Sequence, residues 1–111
     1  MQRQFRPAFD QIVLIDGRPV GHLSTEEYAD SVELRMIALL PEVQRRGLGT
    51  ALVRKVLESA RSRRKSVMLW VTDWNEGAIG LYHRLGFRIE RTLEIPEKRV
   101  RKLLMVSKAV D

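Results

Sequence analysis

Val43-Gln44-Arg45-Arg46-Gly47-Leu48-Gly49-Thr50 joins an apolar, strand-like run to an amphipathic helix, and its reading decides the rest of the chain. Two glycines one residue apart let the backbone approach a ligand without a Cβ in the way, and the amides around a new helix start point outward unpaired. The helix dipole adds about half a positive charge at that end, and Arg45 and Arg46 add full charges, so phosphate or pyrophosphate is the expected guest. Glycine before a helix also serves as plain strand-to-helix punctuation, and the turn alone leaves both readings open.

Upstream of the turn, Val32 to Leu40 is a long β-capable run that stops at Pro41, which cannot donate to a ladder. Downstream, Leu48, Leu52, Val56 and Ala60, flanked by Val53 and Leu57, fall at helical spacing and predict one buried stripe. Further out, Ser66 to Val71 reads as a strand, Asp73 to Asn75 as a turn, and Glu76 to Arg84 as a short helix ended by Gly86. Phe87 to Leu93 and Leu103 to Val106 make a final strand pair across the charged connection Glu94 to Lys102. Near the N-terminus, Gln11 to Ile15, Asp16-Gly17-Arg18-Pro19 and Val20 to Leu23 read as a β-hairpin, and Ser24 to Ser31 as a polar turn. The expected fold is one α/β domain over residues 1–111: a mixed, mainly antiparallel sheet with parallel pairing at the helical crossovers and helices on both faces.

At 111 residues the chain has room for one core and little room for a separate substrate domain. No apolar run reaches the length of a membrane span, no signal peptide is visible, and the absence of cysteine removes disulfides and thiolate nucleophiles together. A cytoplasmic setting without membrane partners is the expectation. The formal charge of +6 favours polyanionic partners. The densest basic cluster, Arg61-Ser62-Arg63-Arg64-Lys65, follows a helix whose negative end it offsets, and no aromatics interleave with it, so a nucleic-acid partner is disfavoured.

Two blocks of residues together resemble the GNAT superfamily of N-acetyltransferases. Gln44, Gly47 and Gly49 meet its signature of Gln or Arg, two residues, Gly, one residue, then Gly or Ala. Leu69, Val71, Asn75, Ala78, Leu81, Tyr82, Gly86 and Phe87 meet its second block, a strand, an asparagine and a helix ending Leu-Tyr-x-x-x-Gly-Phe. The resemblance implies acetyl-coenzyme A as co-substrate, no metal, and a primary amine on a small molecule or peptide as acceptor, attacked directly in a ternary complex. It further implies that the amides of Arg45, Arg46, Gly47, Leu48, Gly49 and Thr50, with Gln44, bind the pyrophosphate, and that the backbone of Ile37, Ala38 and Leu39 pairs with the pantetheine arm. A bulge at Met36 to Leu39 would then free an amide, that of Leu39, for the thioester oxygen.

On the same resemblance Tyr82 is the general acid for the departing thiolate, Glu33 the general base, and Asn75 a contact to the cofactor arm. Each has an ordinary reading beside it: Tyr82 as core, Glu33 as a strand-end charge, Asn75 as a helix cap. Trp70 stands where the ribosomal-protein N-terminal branch of the family carries its glutamate base, which argues against that branch or its base. Trp70 and Trp74 are expected as core or rim packing, and His22 and His83 show no spacing that suggests a metal. Family members usually begin with a strand and two helices that wall the acceptor site, and this chain starts too late for them. A fragment, a natural short form, or a homodimer completing the cleft are the expectations, the dimer favoured. The alternative to an enzyme is a non-catalytic acyl-coenzyme A binding or regulatory module.

Overall fold

The computed structural model describes residues 9–44 and 47–109, so the expectations for Arg45 and Arg46 lie outside the described residues. Strands β1 (Phe9–Ile15) and β2 (Arg18–Glu27) meet at Asp16 and Gly17, whose φ values of 52° and 77° are those a two-residue hairpin turn requires. Next come β3 (Ser31–Leu39), a 3₁₀ turn at Pro41–Val43, α1 (Leu48–Ser62), β4 (Ser66–Thr72), α2 (Glu76–Arg84), β5 (Arg88–Ile95) and β6 (Val100–Ser107). The six strands form one sheet in the order β1-β2-β3-β4-β6-β5, antiparallel at every junction except β3–β4.

Two boundaries and one buried stripe differ from the sequence reading. Ser24 to Glu27, expected as turn, continue β2, because Thr25, Glu26 and Glu27 pair with Leu34, Glu33 and Val32 across a register shift. The charged connection near the C-terminus shrinks to Pro96–Arg99, since β5 and β6 pair out to Ile95 and Val100. Within α1 the buried residues are Val53 and Ala60, while Leu48 and Leu52 stay partly exposed, so the inward stripe is rotated from the one expected.

Alternation along β4 buries Val67, Leu69 and Val71, and these join Val32, Leu34, Leu103, Met105 and Phe87 in one core. Val53 and Ala60 of α1 belong to that cluster, and Ala78, Ile79, Tyr82 and Leu85 of α2 pack against it. Both helices therefore cover the same face, a correction to the expectation of helices on both faces. The cause is topological: β3–α1–β4 and β4–α2–β5 step the same way across the sheet, and two right-handed crossovers stepping the same way put their helices on one side.

Candidate active site

Strands β3 and β4 pair only over Ser31–Glu33 with Ser66–Met68, although β3 runs on to Leu39 and β4 to Thr72. Beyond Glu33 the two strands part, and the outer ladders to β2 and β6 hold them open. In β3 the register shifts so that Ser24 faces Met36 while Thr25 faces Leu34, which leaves Arg35 as the extra residue of a bulge. The bulge falls at Arg35, ahead of the expected Met36 to Leu39, and re-aims the strand at the start of the opening. Glycine at position 21 lets β2 follow the bend: a Cβ there would lie 2.6 Å from the Ala38 carbonyl oxygen and 2.6 Å from the Leu39 side chain.

Backbone direction in β3 follows from one bond. The Leu40 amide donates to the Val20 carbonyl at 2.9 Å, so alternation turns the N–H and C=O of Leu39 and Ile37 away from β2 and into the opening. The intervening Ala38 turns its backbone groups to β2, and its part in the opening is as a spacer. Gln44 then reaches back, its Nε2 donating to the Leu39 carbonyl at 2.9 Å. The backbone groups of Ile37 and the Leu39 N–H thus face the opening along the part of β3 that has no partner in β4, the kind of edge an extended chain of amides pairs with.

At the mouth of the opening α1 begins with Gly47 at φ 76°, and among the described residues no side chain caps its first amides. Its first turn carries no acidic residue, and a Cβ on Gly47 would meet nothing within 4 Å. Leu48, Gly49 and Thr50 therefore present amides with no intrahelical acceptor, which fits a phosphate group. The end of the helix is anchored differently: Arg63 and Lys65 both bond the Glu27 carboxylate, Lys65 at 2.7 Å, and Lys65 also donates to the Tyr28 carbonyl at 2.7 Å. Arg63 and Lys65 of the basic cluster thus lock the closed end of the β3–β4 pair.

On the helix side, Tyr82 packs edge-on against Phe87 with ring centroids 5.6 Å apart. Burial pushes its phenol above the ordinary tyrosine range, so the group carries its proton at neutral pH. Its hydroxyl makes no hydrogen bond among the described residues. Asn75 accepts from the Ala78 amide at 3.2 Å, the geometry of a helix N-cap.

Glu33 occupies the last paired position of β3, on the face away from the helices, because its neighbours Val32 and Leu34 both point into the core. It lies across from Glu26 and accepts from the Tyr28 hydroxyl at 3.3 Å, while Arg35 bonds Glu26. The structure does not put Tyr82 and Glu33 in contact. It sets them on opposite faces of the sheet, Tyr82 packed with α2 against the core and Glu33 on the face away from the helices.

Sequence reasoning missed Gly21 and the contacts made by Tyr28 and Lys65. A glycine inside a strand signals close backbone approach, and that cue was available for Gly21. The other two act through contacts between segments far apart in sequence, which no local pattern carries. Trp74, expected as packing, is 71% exposed on the turn before α2, whereas Trp70 is partly buried. His22 pairs with Asp10 at 3.4 Å, and no group of His, Asp and Glu with metal-holding geometry occurs among the described residues.

The profile of the acetyltransferase (GNAT) family matches residues 2–87. An uncharacterised N-acetyltransferase of Methanocaldococcus jannaschii is 40% identical over 81 residues, covering 66% of this chain and 36% of that protein. The mycothiol acetyltransferase of Thermomonospora curvata is 36% identical over 91 residues, covering 77% of this chain and 31% of that protein. The chain thus spans about a third of the length of these two relatives. Among solved structures, the ribosomal-protein-S18-alanine N-acetyltransferase of Escherichia coli superposes with a TM-score of 0.82 at 24% identity, over 97% of this chain and 74% of that one. A structure from Elizabethkingia anophelis with acetyl-CoA bound gives 0.82 at 16% identity, over 91% of this chain and 76% of that one.

Proposed function

Because the chain belongs to the GNAT acetyltransferase family, we propose that it moves the acetyl group of acetyl-coenzyme A to a primary amine of a small molecule or peptide, by direct attack in a ternary complex. The observation that carries this reading is the parting of β3 and β4 after Glu33, with the uncapped start of α1 at its mouth. One relative's structure holds acetyl-CoA and another, from Thermoplasma acidophilum, holds coenzyme A, which supports the same donor here.

Acetyl-coenzyme A supplies a thioester, activated toward an amine. The amides of Leu48, Gly49 and Thr50 take the pyrophosphate, joined by Gly47 and, in this reading, by Arg45 and Arg46. Ile37 and Leu39 pair with the pantetheine arm, and the Leu39 N–H donates to the thioester oxygen as charge develops there; one such preorganised donor lowers a barrier by about 3 kcal/mol. Glu33 takes a proton from the incoming ammonium, leaving the neutral amine to form its C–N bond as the C–S bond breaks. Tyr82 gives its proton to the departing thiolate. Its raised pKa keeps that proton available at neutral pH and makes the transfer more uphill than from an ordinary phenol. Asn75 shapes the site through the cap of α2, its side-chain oxygen being engaged there.

A peptide amine is one acceptor class, as in the S18-alanine enzyme of Salmonella typhimurium, 38% identical over 74 residues, 65% of this chain and 49% of that protein. Trp70 in place of that branch's glutamate means that likeness of sequence does not carry likeness of base. The exposed Ile12 and Leu14 on the edge strand β1 support pairing of two copies there, which sedimentation would detect as a dimer.

Titration of the protein with acetyl-coenzyme A in a calorimeter tests the donor; no heat and no thermal shift at millimolar ligand would defeat the proposal. Thiol release across an amine panel tests transfer, and binding without release from any amine makes the chain an acyl-coenzyme A binding module instead. Glu33→Gln is expected to slow thiol release at saturating donor and amine with donor affinity kept; undiminished release assigns the base elsewhere.

A further inference from the structure

Gln44 belongs to the turn expected to grip the pyrophosphate, yet its side chain points backward along the chain. Its Nε2 lies 2.9 Å from the Leu39 carbonyl oxygen, a bond to the strand that leads into the turn. The peptide unit shared by Leu39 and Leu40 is thereby held on both edges. Its carbonyl accepts from Gln44, and its N–H donates to Val20 at 2.9 Å. The Leu39 side chain lies beside two glycines, at 2.6 Å from an ideal Cβ on Gly21 and 3.9 Å from one on Gly49, so the strand end is seated against both β2 and α1.

We infer that Gln44 is a positioning residue which acts through the Leu39 carbonyl to aim the Leu39 N–H into the opening, and is not a ligand of the phosphate. The inference rests on the proposed acetyl transfer for its consequence and on the ligand-free fold for its cause.

The physical case has three steps. Leu39 ends β3 with no strand on its open side, and without Gln44 its carbonyl faces the gap unpaired. A strand end held by one ladder alone frays. Pinning the 39–40 peptide plane fixes the ψ of Leu39, and with it the direction of the preceding amide, the donor on which the transition state depends. A phosphate role would rest on the second Nε2 proton alone, since one is already given to the Leu39 carbonyl and Oε1 is an acceptor that repels phosphate oxygens.

Three variants separate the readings: Gln44→Leu removes the donor, Gln44→Glu sets an acceptor against the carbonyl, and Gln44→Arg keeps a donor. In the ligand-free protein, hydrogen exchange at the Leu40 amide is expected to quicken about tenfold in Gln44→Leu and Gln44→Glu and to stay within about twofold in Gln44→Arg, the loss matching one hydrogen bond. With carbonyl-labelled acetyl-coenzyme A bound, the infrared stretch of the thioester should move toward its free-solution position in the first two variants and return in the third. Turnover should fall about tenfold with KM for acetyl-coenzyme A within about twofold. Unchanged exchange at Leu40, or a loss confined to KM, would overturn the inference. Failure of the unaltered protein to bind acetyl-coenzyme A would defeat the proposed function and the inferred consequence together, while the exchange result would still decide whether Gln44 holds the strand.

Discussion

The two helices among the described residues begin in opposite ways. At the start of α2, Asn75 caps the Ala78 amide at 3.2 Å and Glu76 adds a negative charge to the first turn. That end is satisfied by its own sequence. At the start of α1 the described residues supply no capping side chain and its first turn no acid, and Gly47 stands there in a left-handed conformation where an added Cβ would meet nothing within 4 Å of it among the described residues. Both helices follow strands in the same sheet and pack on the same core, so the contrast does not come from their surroundings. A self-satisfied terminus stabilises the fold, and an unsatisfied one is free to take an anion from outside.

Breaking the difference at α1 has the largest expected effect. Gly47→Asp places a carboxylate in the cradle and should lower affinity for acetyl-coenzyme A by about 100-fold in a calorimetric titration, two such steps of 1.4 kcal/mol. Gly47→Asn, which tolerates the same backbone conformation without the charge, should lose far less. Equal losses would show that the glycine serves shape and not electrostatics.

Tyr82→Phe tests what the capped helix carries. Thiol release at saturating donor should fall by about 100-fold with donor affinity kept, as for loss of a general acid. Undiminished turnover would return Tyr82 to the core alone.

Asn75→Ala should cost about 1 kcal/mol of stability and lower Tm by about 4–8 °C, with donor affinity within about twofold. Asn75→Asp should restore Tm. A large affinity loss with unchanged Tm would make Asn75 a ligand after all and erase the contrast between the two termini.

The smallest effect is a pH dependence. Burial raises the pKa of Tyr82 in the folded chain, so its contribution to stability is intact below the ordinary tyrosine pKa of about 10 and is lost as pH rises through the folded value. Thermal melts of Tyr82→Phe should decline less steeply than the parent between neutral pH and pH values above about 10.

Much of this was legible in the residues. The spans of β3, β4 and α2 follow from apolar runs bounded by Pro41, Asp73 and Gly86, and the 3.6-residue spacing after Gly47 marks α1. Asn75 before Glu76 reads as a cap, and the structure shows it capping. Less legible was anything that depends on pairing. Ser24 to Glu27 look like a turn because they are polar, and only β3 lying alongside makes them strand. The inward face of α1 turned toward Val53 because the sheet beneath, and not the helix's own pattern, decides which stripe is covered.

By itself the sequence determined the order and kind of the elements, because local spacing, turn chemistry and breakers act within a few residues. It also determined that α1 begins at a glycine turn without a cap, since capping residues are local. The tertiary structure decided that the bulge sits at Arg35, that β3 and β4 part after Glu33, and that both helices share one face. It also decided that Gln44 spends its donor on Leu39. Register, parting and the aim of a side chain depend on which segments meet across the sheet, and that is settled when the core closes, not along the chain.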